Sequence, residues 1–115
     1  MTLINLDDEQ KRDDGEVCPI VESIRIVGSA WKLIIIRYLL DGPKGFNELL
    51  RAVHGLNSKT LSRTLKQLQQ EGLVERHVVA LQPFSVEYRL TEKGQALQPV
   101  IQALRKWGEE CALRK

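Results

Sequence analysis

At 115 residues the chain has room for one domain with a modest core and not for two. Its formal charge of +2 hides an asymmetry: residues 1–16 hold six acids (Asp7, Asp8, Glu9, Asp13, Asp14, Glu16) against Lys11 and Arg12, a net of −4, so residues 17–115 carry +6. The basic balance points to an anionic partner, and the longest apolar run, residues 33–36, falls far short of the roughly 20 residues that a membrane span needs.

No charged leader precedes an apolar segment at the start of the chain, so no secretory signal is expected and the expected location is the cytoplasm. Cys18 and Cys111 lie near opposite ends, without a Cys-x-x-Cys motif or a histidine spacing suited to a metal. That argues against a zinc site or a disulfide framework, and no cofactor is expected. Residues 1–16 are acidic and without periodicity, which predicts a mobile tail ahead of one domain over residues 17–115.

Order is expected from Cys18-Pro19, because proline suits the first turn of a helix. Ile20, Val21, Ile24 and Val27 continue a short helix to Gly28. Ser29 then caps a second helix through Leu40, apolar nearly all round at Trp31, residues 33–36, Leu39 and Leu40, and therefore central. Asp41-Gly42-Pro43 is a turn that blocks continuation. Phe46, Leu49, Leu50 and Val53 recur at helical spacing, and this third helix ends near His54-Gly55.

Across the short turn Gly55-Leu56-Asn57 begins the stretch that matters most, residues 57–72. Leu61, Leu65 and Leu68, spaced by four and three, form one narrow apolar stripe on a helix of about 3.6 residues per turn. At about 100° per residue, Lys59, Arg63, Lys66 and Gln70 fall on the opposite face, flanked by Ser62 and Gln67, with no acid before Glu71. Asn57 or Ser58 caps the start, and Gly72 supplies the left-handed residue that stops the helix. Two short helices joined this tightly form a helix-turn-helix, the first bracing and the second entering the major groove. A surface helix whose cations only keep it soluble is the bland alternative.

After Gly72 the period changes. Leu73, Val74, His77, Val78, Val79 and Leu81 read as one strand and Val86-Glu87-Tyr88-Arg89-Leu90 as another, joined by residues 80–85. A helical pair followed by a hairpin outlines a winged helix, mainly α with a small β-hairpin wing lying over the phosphate backbone or a minor groove. Thr91 caps a last helix carrying Leu97, Ile101, Leu104, Trp107 and Leu113. With the core already served by the second helix, that stripe is expected to meet a second copy rather than fold back. Paired recognition helices about 34–36 Å apart read one face of DNA.

The chain resembles the HxlR family of winged helix-turn-helix transcription regulators, relatives of the MarR type. The resemblance rests on Cys18-Pro19, Gly28 with Trp31, and Gly42-Pro43-Lys44-Gly45-Phe46-Asn47-Glu48-Leu49. It continues through Leu61-Ser62 with Leu65 and Leu68, Gly72-Leu73-Val74-Glu75-Arg76, and Val86-Glu87-Tyr88-Arg89-Leu90-Thr91-Glu92-Lys93-Gly94. It implies a homodimer built on the N- and C-terminal helices that binds double-stranded operator DNA and represses or activates transcription, with repression the expected sign. Two departures stand out. Where the family's wing commonly carries an arginine ahead of Val-Glu-Tyr, this chain has Pro83-Phe84-Ser85, so wing contacts are expected to be fewer or apolar. Where the family often has Gly-Gly-Lys-Trp, this chain reads Gly28-Ser29-Ala30-Trp31-Lys32, displacing the cation by two positions.

The expected DNA-binding residues follow from chemistry. Lys59, Ser62, Arg63 and Lys66 enter the major groove, with Arg63 suited to a bidentate contact with guanine O6 and N7. Ser58 and Thr60 meet phosphate at the helix N-terminus, and Lys44, Arg76, His77 and Arg89 add backbone contacts. Cys18, beside a proline at a helix N-terminus, is a candidate redox or electrophile sensor answering an oxidant or small-molecule inducer, since some members of the family sense through a cysteine here. The plainer reading is a small buried hydrophobe in the dimer interface. His54 and His77 read as a surface residue at a helix end and a strand residue. Glu48, Glu87 and Glu92 read as partners for nearby bases or a helix N-terminus, so no catalytic residue is expected. The competing function from another class is a winged-helix module whose basic helix meets an acidic protein partner. A thiol-dependent enzyme using Cys18 would need a base within reach, and spacing places none.

Overall fold

A computed structural model describes residues 17–113, so the expected acidic tail lies outside the described residues. Contacts divide the chain into two units, Met1–Ala30 and Trp31–Lys115. In the first, helix α1 (Pro19–Val27) starts from an extended Cys18 with Pro19 in its opening turn and ends at Gly28. No side chain of α1 is buried, and Ile20 and Ile24, four residues apart, form an exposed apolar stripe.

The second unit holds the helix-turn-helix and the hairpin. Helix α2 (Ala30–Leu39) supplies Ile35, Ile36 and Leu39 to the core. Helix α3 (Phe46–Ala52) adds Leu49, with Val53 just beyond it. Helix α4 (Ser58–Gln70) adds Leu61, Leu65 and Leu68. Leu73, Val74 and Leu90 close this core from the base of the hairpin. The leucine stripe of α4 is buried as its spacing predicts, because a helix this polar is held by tertiary packing of its apolar face.

Strand β1 (Val74–Leu81) pairs antiparallel with β2 (Phe84–Leu90), in a register running from Val74 opposite Leu90 to Leu81 opposite Phe84. The connection is only Gln82-Pro83, joined by a cis bond, and not the six residues the sequence suggested. An extra residue, Val79, is accommodated as a bulge between Val78 and Ala80, and this lets pairing resume to the tip. A third piece joins the sheet, as Lys44 exchanges both backbone hydrogen bonds with Tyr88, at 3.1 and 2.8 Å.

The expected single C-terminal helix is broken. A short helix α5 (Glu92–Gln95) ends at Ala96-Leu97, and α6 (Gln98–Trp107) begins anew before a π-helical turn, Gly108–Ala112. Pro99 is the physical reason, since it has no N–H to give the preceding turn and its ring would meet the carbonyl of Gln95. In α6 the apolar side chains of Val100, Leu104 and Trp107 remain exposed, Trp107 at 62 %.

Gly94 is the tightest point in the second unit: a Cβ there would lie 2.3 Å from the Leu73 carbonyl oxygen, whereas one at Gly108 meets nothing within 4 Å. Gly94→Ala should therefore cost about 1–3 kcal/mol in a urea unfolding titration while Gly108→Ala stays close to the parent.

Candidate nucleic-acid interface

Helix α4 presents two chemically distinct faces. Leu61, Leu65 and Leu68 are fully buried, joined by Thr64, whose hydroxyl donates to the Thr60 carbonyl at 2.8 Å. Opposite them Ser58, Lys59, Ser62, Arg63, Lys66, Gln67 and Gln70 are exposed. Neither Lys59, Arg63 nor Lys66 meets a carboxylate among the described residues. Asn57 caps the helix, its Oδ1 accepting from the Thr60 N–H at 2.8 Å, which commits that donor and leaves the half-buried Thr60 its hydroxyl.

The other end of α4 is closed by a Schellman turn. Gly72, at φ 75°, donates to the Gln69 carbonyl at 3.0 Å, and Leu73 donates to Leu68 at 2.9 Å while both leucines pack in the core. Lys32, only 8 % exposed, donates its ammonium to Glu71 Oε1, and the Lys93 ammonium donates to the Glu71 carbonyl at 3.0 Å. Thr91 donates its hydroxyl to the Gly72 carbonyl at 2.6 Å and its N–H to Leu73 at 3.0 Å. The start of α2, the end of α4 and the start of α5 thus meet in one turn. Reasoning from sequence did not pair Lys32 with Glu71; the available signal was a lone lysine inside an otherwise apolar helix.

The wing has two unlike faces, because side chains on a strand alternate. One carries Arg89 opposite Glu75 and Glu87 opposite His77. His77 Nε2 lies 2.9 Å from Glu75 Oε2 and Arg89 lies 3.9 Å from Glu87 Oε2, so the bases there are compensated. The other face carries Lys44, Tyr88 and Arg76 in one row across the sheet. Neither Lys44 nor Arg76 is ion-paired among the described residues. Arg51, not singled out by sequence, is exposed and lines a shallow cleft with Lys44.

Cys18 is a half-buried free thiol at the start of α1, and Cys111 is an exposed one in the π-helical turn. Among the described residues no group of three or more potential ligands could hold a metal, and no helix is long and apolar enough to cross a membrane.

The family model described as HxlR-like helix-turn-helix matches residues 26–115. The chain belongs to the HxlR family. It is 39 % identical over 98 residues to the uncharacterised regulator YdeP of Bacillus subtilis, covering 85 % of this chain and 77 % of that one. It is 41 % identical over 95 residues to the transcriptional regulator YodB of the same organism, covering 82 % and 85 %. Reduced YodB superposes with a TM-score of 0.73 at 39 % identity, covering 85 % of this chain and 97 % of that one. YodB is also solved after diamide treatment and with quinone bound, at a TM-score of 0.68 in each case. The redox regulator HypR in its reduced form matches at 0.75 with 34 % identity, covering 81 % and 92 %. This HxlR-family chain is accordingly a winged helix-turn-helix transcriptional regulator of MarR-like fold.

Lys32→Met would leave the Glu71 carboxylate without its cation. The cost should be about 2 kcal/mol in thermal unfolding, below that of a fully buried pair because the Glu71 side chain keeps 28 % exposure. Lys32→Met combined with Glu71→Leu should recover part of it.

Proposed function

We propose that the chain is a cytoplasmic, non-catalytic repressor that binds a palindromic operator as a homodimer through the domain at residues 17–115. The observation that carries this reading is the outer face of α4: three cations without acidic partners among the described residues, exposed on a helix whose opposite face is fully buried. Lys59, Ser62, Arg63 and Lys66 enter the major groove, and Arg63 reads guanine. Ser58 and Thr60 hold phosphate at the helix N-terminus, with Lys44, Arg76 and Arg51 on the flanking backbone. His77 and Arg89 reach the same backbone with less net charge, because Glu75 and Glu87 accompany them. The exposed stripes Ile20/Ile24 on α1 and Val100/Leu104/Trp107 on α6 suit burial against a second copy.

Cys18 is the proposed sensor. Its relatives YodB and HypR are solved in reduced and modified or oxidised states, which supports a thiol signal in this family fold. Oxidant or electrophile at Cys18 would lower operator affinity.

In gel-shift titrations on duplex DNA, Arg63→Ala should weaken specific binding by about 1–3 kcal/mol and relax sequence preference. Lys66→Ala should weaken all sequences alike and lower the salt slope by about 1. Steep loss of affinity between about 50 and 200 mM salt separates this reading from a module that binds an acidic protein. Cys18→Ser should abolish release of DNA by diamide; a variant that responds as the parent does removes the sensor.

A further inference from the structure

Two kinds of contact hold α4, and they constrain it differently. Leu61, Leu65 and Leu68 bury its inner face, but apolar burial has no direction, so a leucine stripe tolerates a small slide or roll of the helix at little cost. A hydrogen bond does not, because it weakens steeply once its donor leaves the line of its acceptor. Among the described residues, the side-chain hydrogen bonds between α4 and other elements lie at its C-terminal turn: Lys32 and Lys93 on Glu71, and Thr91 on Gly72. The bonds of Asn57, Thr64 and Gln69 stay within the helix and its cap.

The Glu71 carboxylate has little choice of partner. Its Oε1 accepts from the nearly buried Lys32, whereas its Oε2 is buried and finds no hydrogen-bond partner among the described residues. Lys93 donates to the Glu71 carbonyl, not to the carboxylate. One cation therefore compensates this group, and moving the helix end away from Lys32 would strand it. The outer-face residues nearest the anchor are Lys66, Gln67 and Gln70, all exposed.

We propose that Lys32 and Glu71 are specificity-determining positioning residues: without touching DNA, their bridge sets the rotation of α4 about its axis. That rotation decides whether Arg63, Lys66, Gln67 and Gln70 meet base edges or only phosphates. The two kinds of DNA contact differ in tolerance. Base edges are read through hydrogen bonds of fixed direction, whereas attraction to phosphate is a matter of charge and survives a small roll. This role rests on the operator-binding reading and adds to it the device that turns a general attraction for DNA into a choice of sequence.

The test compares a duplex selected by the parent chain from a random-sequence pool with a shuffled copy of it, each titrated with the full chain at several salt concentrations. Lys32→Met combined with Glu71→Leu changes no net charge. It should lower affinity for the selected duplex about tenfold, the worth of one well-placed base contact, and leave affinity for the shuffled duplex and its salt slope as in the parent. Glu71→Gln adds a positive charge but keeps an oxygen that accepts from Lys32, so its ratio of selected to shuffled affinity should stay within about twofold of the parent's. The ratio decides, because loss of folded protein lowers both affinities alike and cancels, even in a variant that melts below the parent. A double variant with the parent's ratio overturns the positioning role. So does a Glu71→Gln protein that loses as much of the ratio as the double variant, since bridge geometry would then not be what matters. A fall of about 1 in the double variant's salt slope overturns it as well, by placing Lys32 on a phosphate. If Arg63→Ala and Lys66→Ala leave binding intact, the operator reading itself has failed. If those two weaken binding and the double variant keeps the parent's ratio, the positioning role alone falls.

Discussion

Between Glu71 and Leu73 the chain turns sharply, and three distant side chains converge on that turn: the ammonium of Lys32, the ammonium of Lys93 and the hydroxyl of Thr91. The turn exists because Gly72 adopts a left-handed conformation, which lets two carbonyls at the end of α4 find donors in Gly72 and Leu73. Its consequence is geometric. A recognition helix whose last turn is fixed to the start of α2 and to the first residues after the hairpin cannot pivot on its leucine stripe alone. The outer basic face of α4 and the hairpin therefore share one anchor.

That anchor explains why residues far apart in sequence share a motif. Gly94 lies where any side chain would strike the Leu73 carbonyl, and Thr91 both caps α5 and closes the hairpin base. Lys32, displaced from where the family usually has its lysine, is not available to a phosphate in this arrangement; it is nearly buried against Glu71. A buried ion pair contributes little net stability because desolvation offsets most of the attraction, but it fixes one geometry, since every alternative leaves a charge without its partner.

Much of this was legible beforehand, and for a stated reason. Local rules govern the α4 boundaries, so Asn57 or Ser58 as the cap, Gly72 as the stop and the leucine spacing bracketed the helix, and the structure starts it at Ser58 with Asn57 as the cap. The central place of α2, the hairpin and the apolar Pro83-Phe84-Ser85 tip were also readable. The misses arise where long-range geometry or a single residue overrides periodicity. Val79 shortened the expected wing loop by absorbing an extra residue, and Pro99 split a stripe that otherwise continues at helical spacing. Lys32 with Glu71 stand 39 positions apart, a pairing that no spacing rule reaches. The cations on the wing could be named but not assigned to faces until the register with β2 was known, and that register separates Lys44 and Arg76 from His77 and Arg89.

The bulge at Val79 carries a last consequence. Among the described residues β1 has a strand neighbour on one side only, so its other rim offers backbone donors and acceptors beside Val78 and Leu81. A straight rim of that composition would recruit strands from other molecules into growing sheets. The kink at Val79, together with the charges of Glu75 and Arg76 nearer the base, spoils the flat template such growth requires. The protein can thus expose a greasy fingertip while its rim resists fibrous self-association.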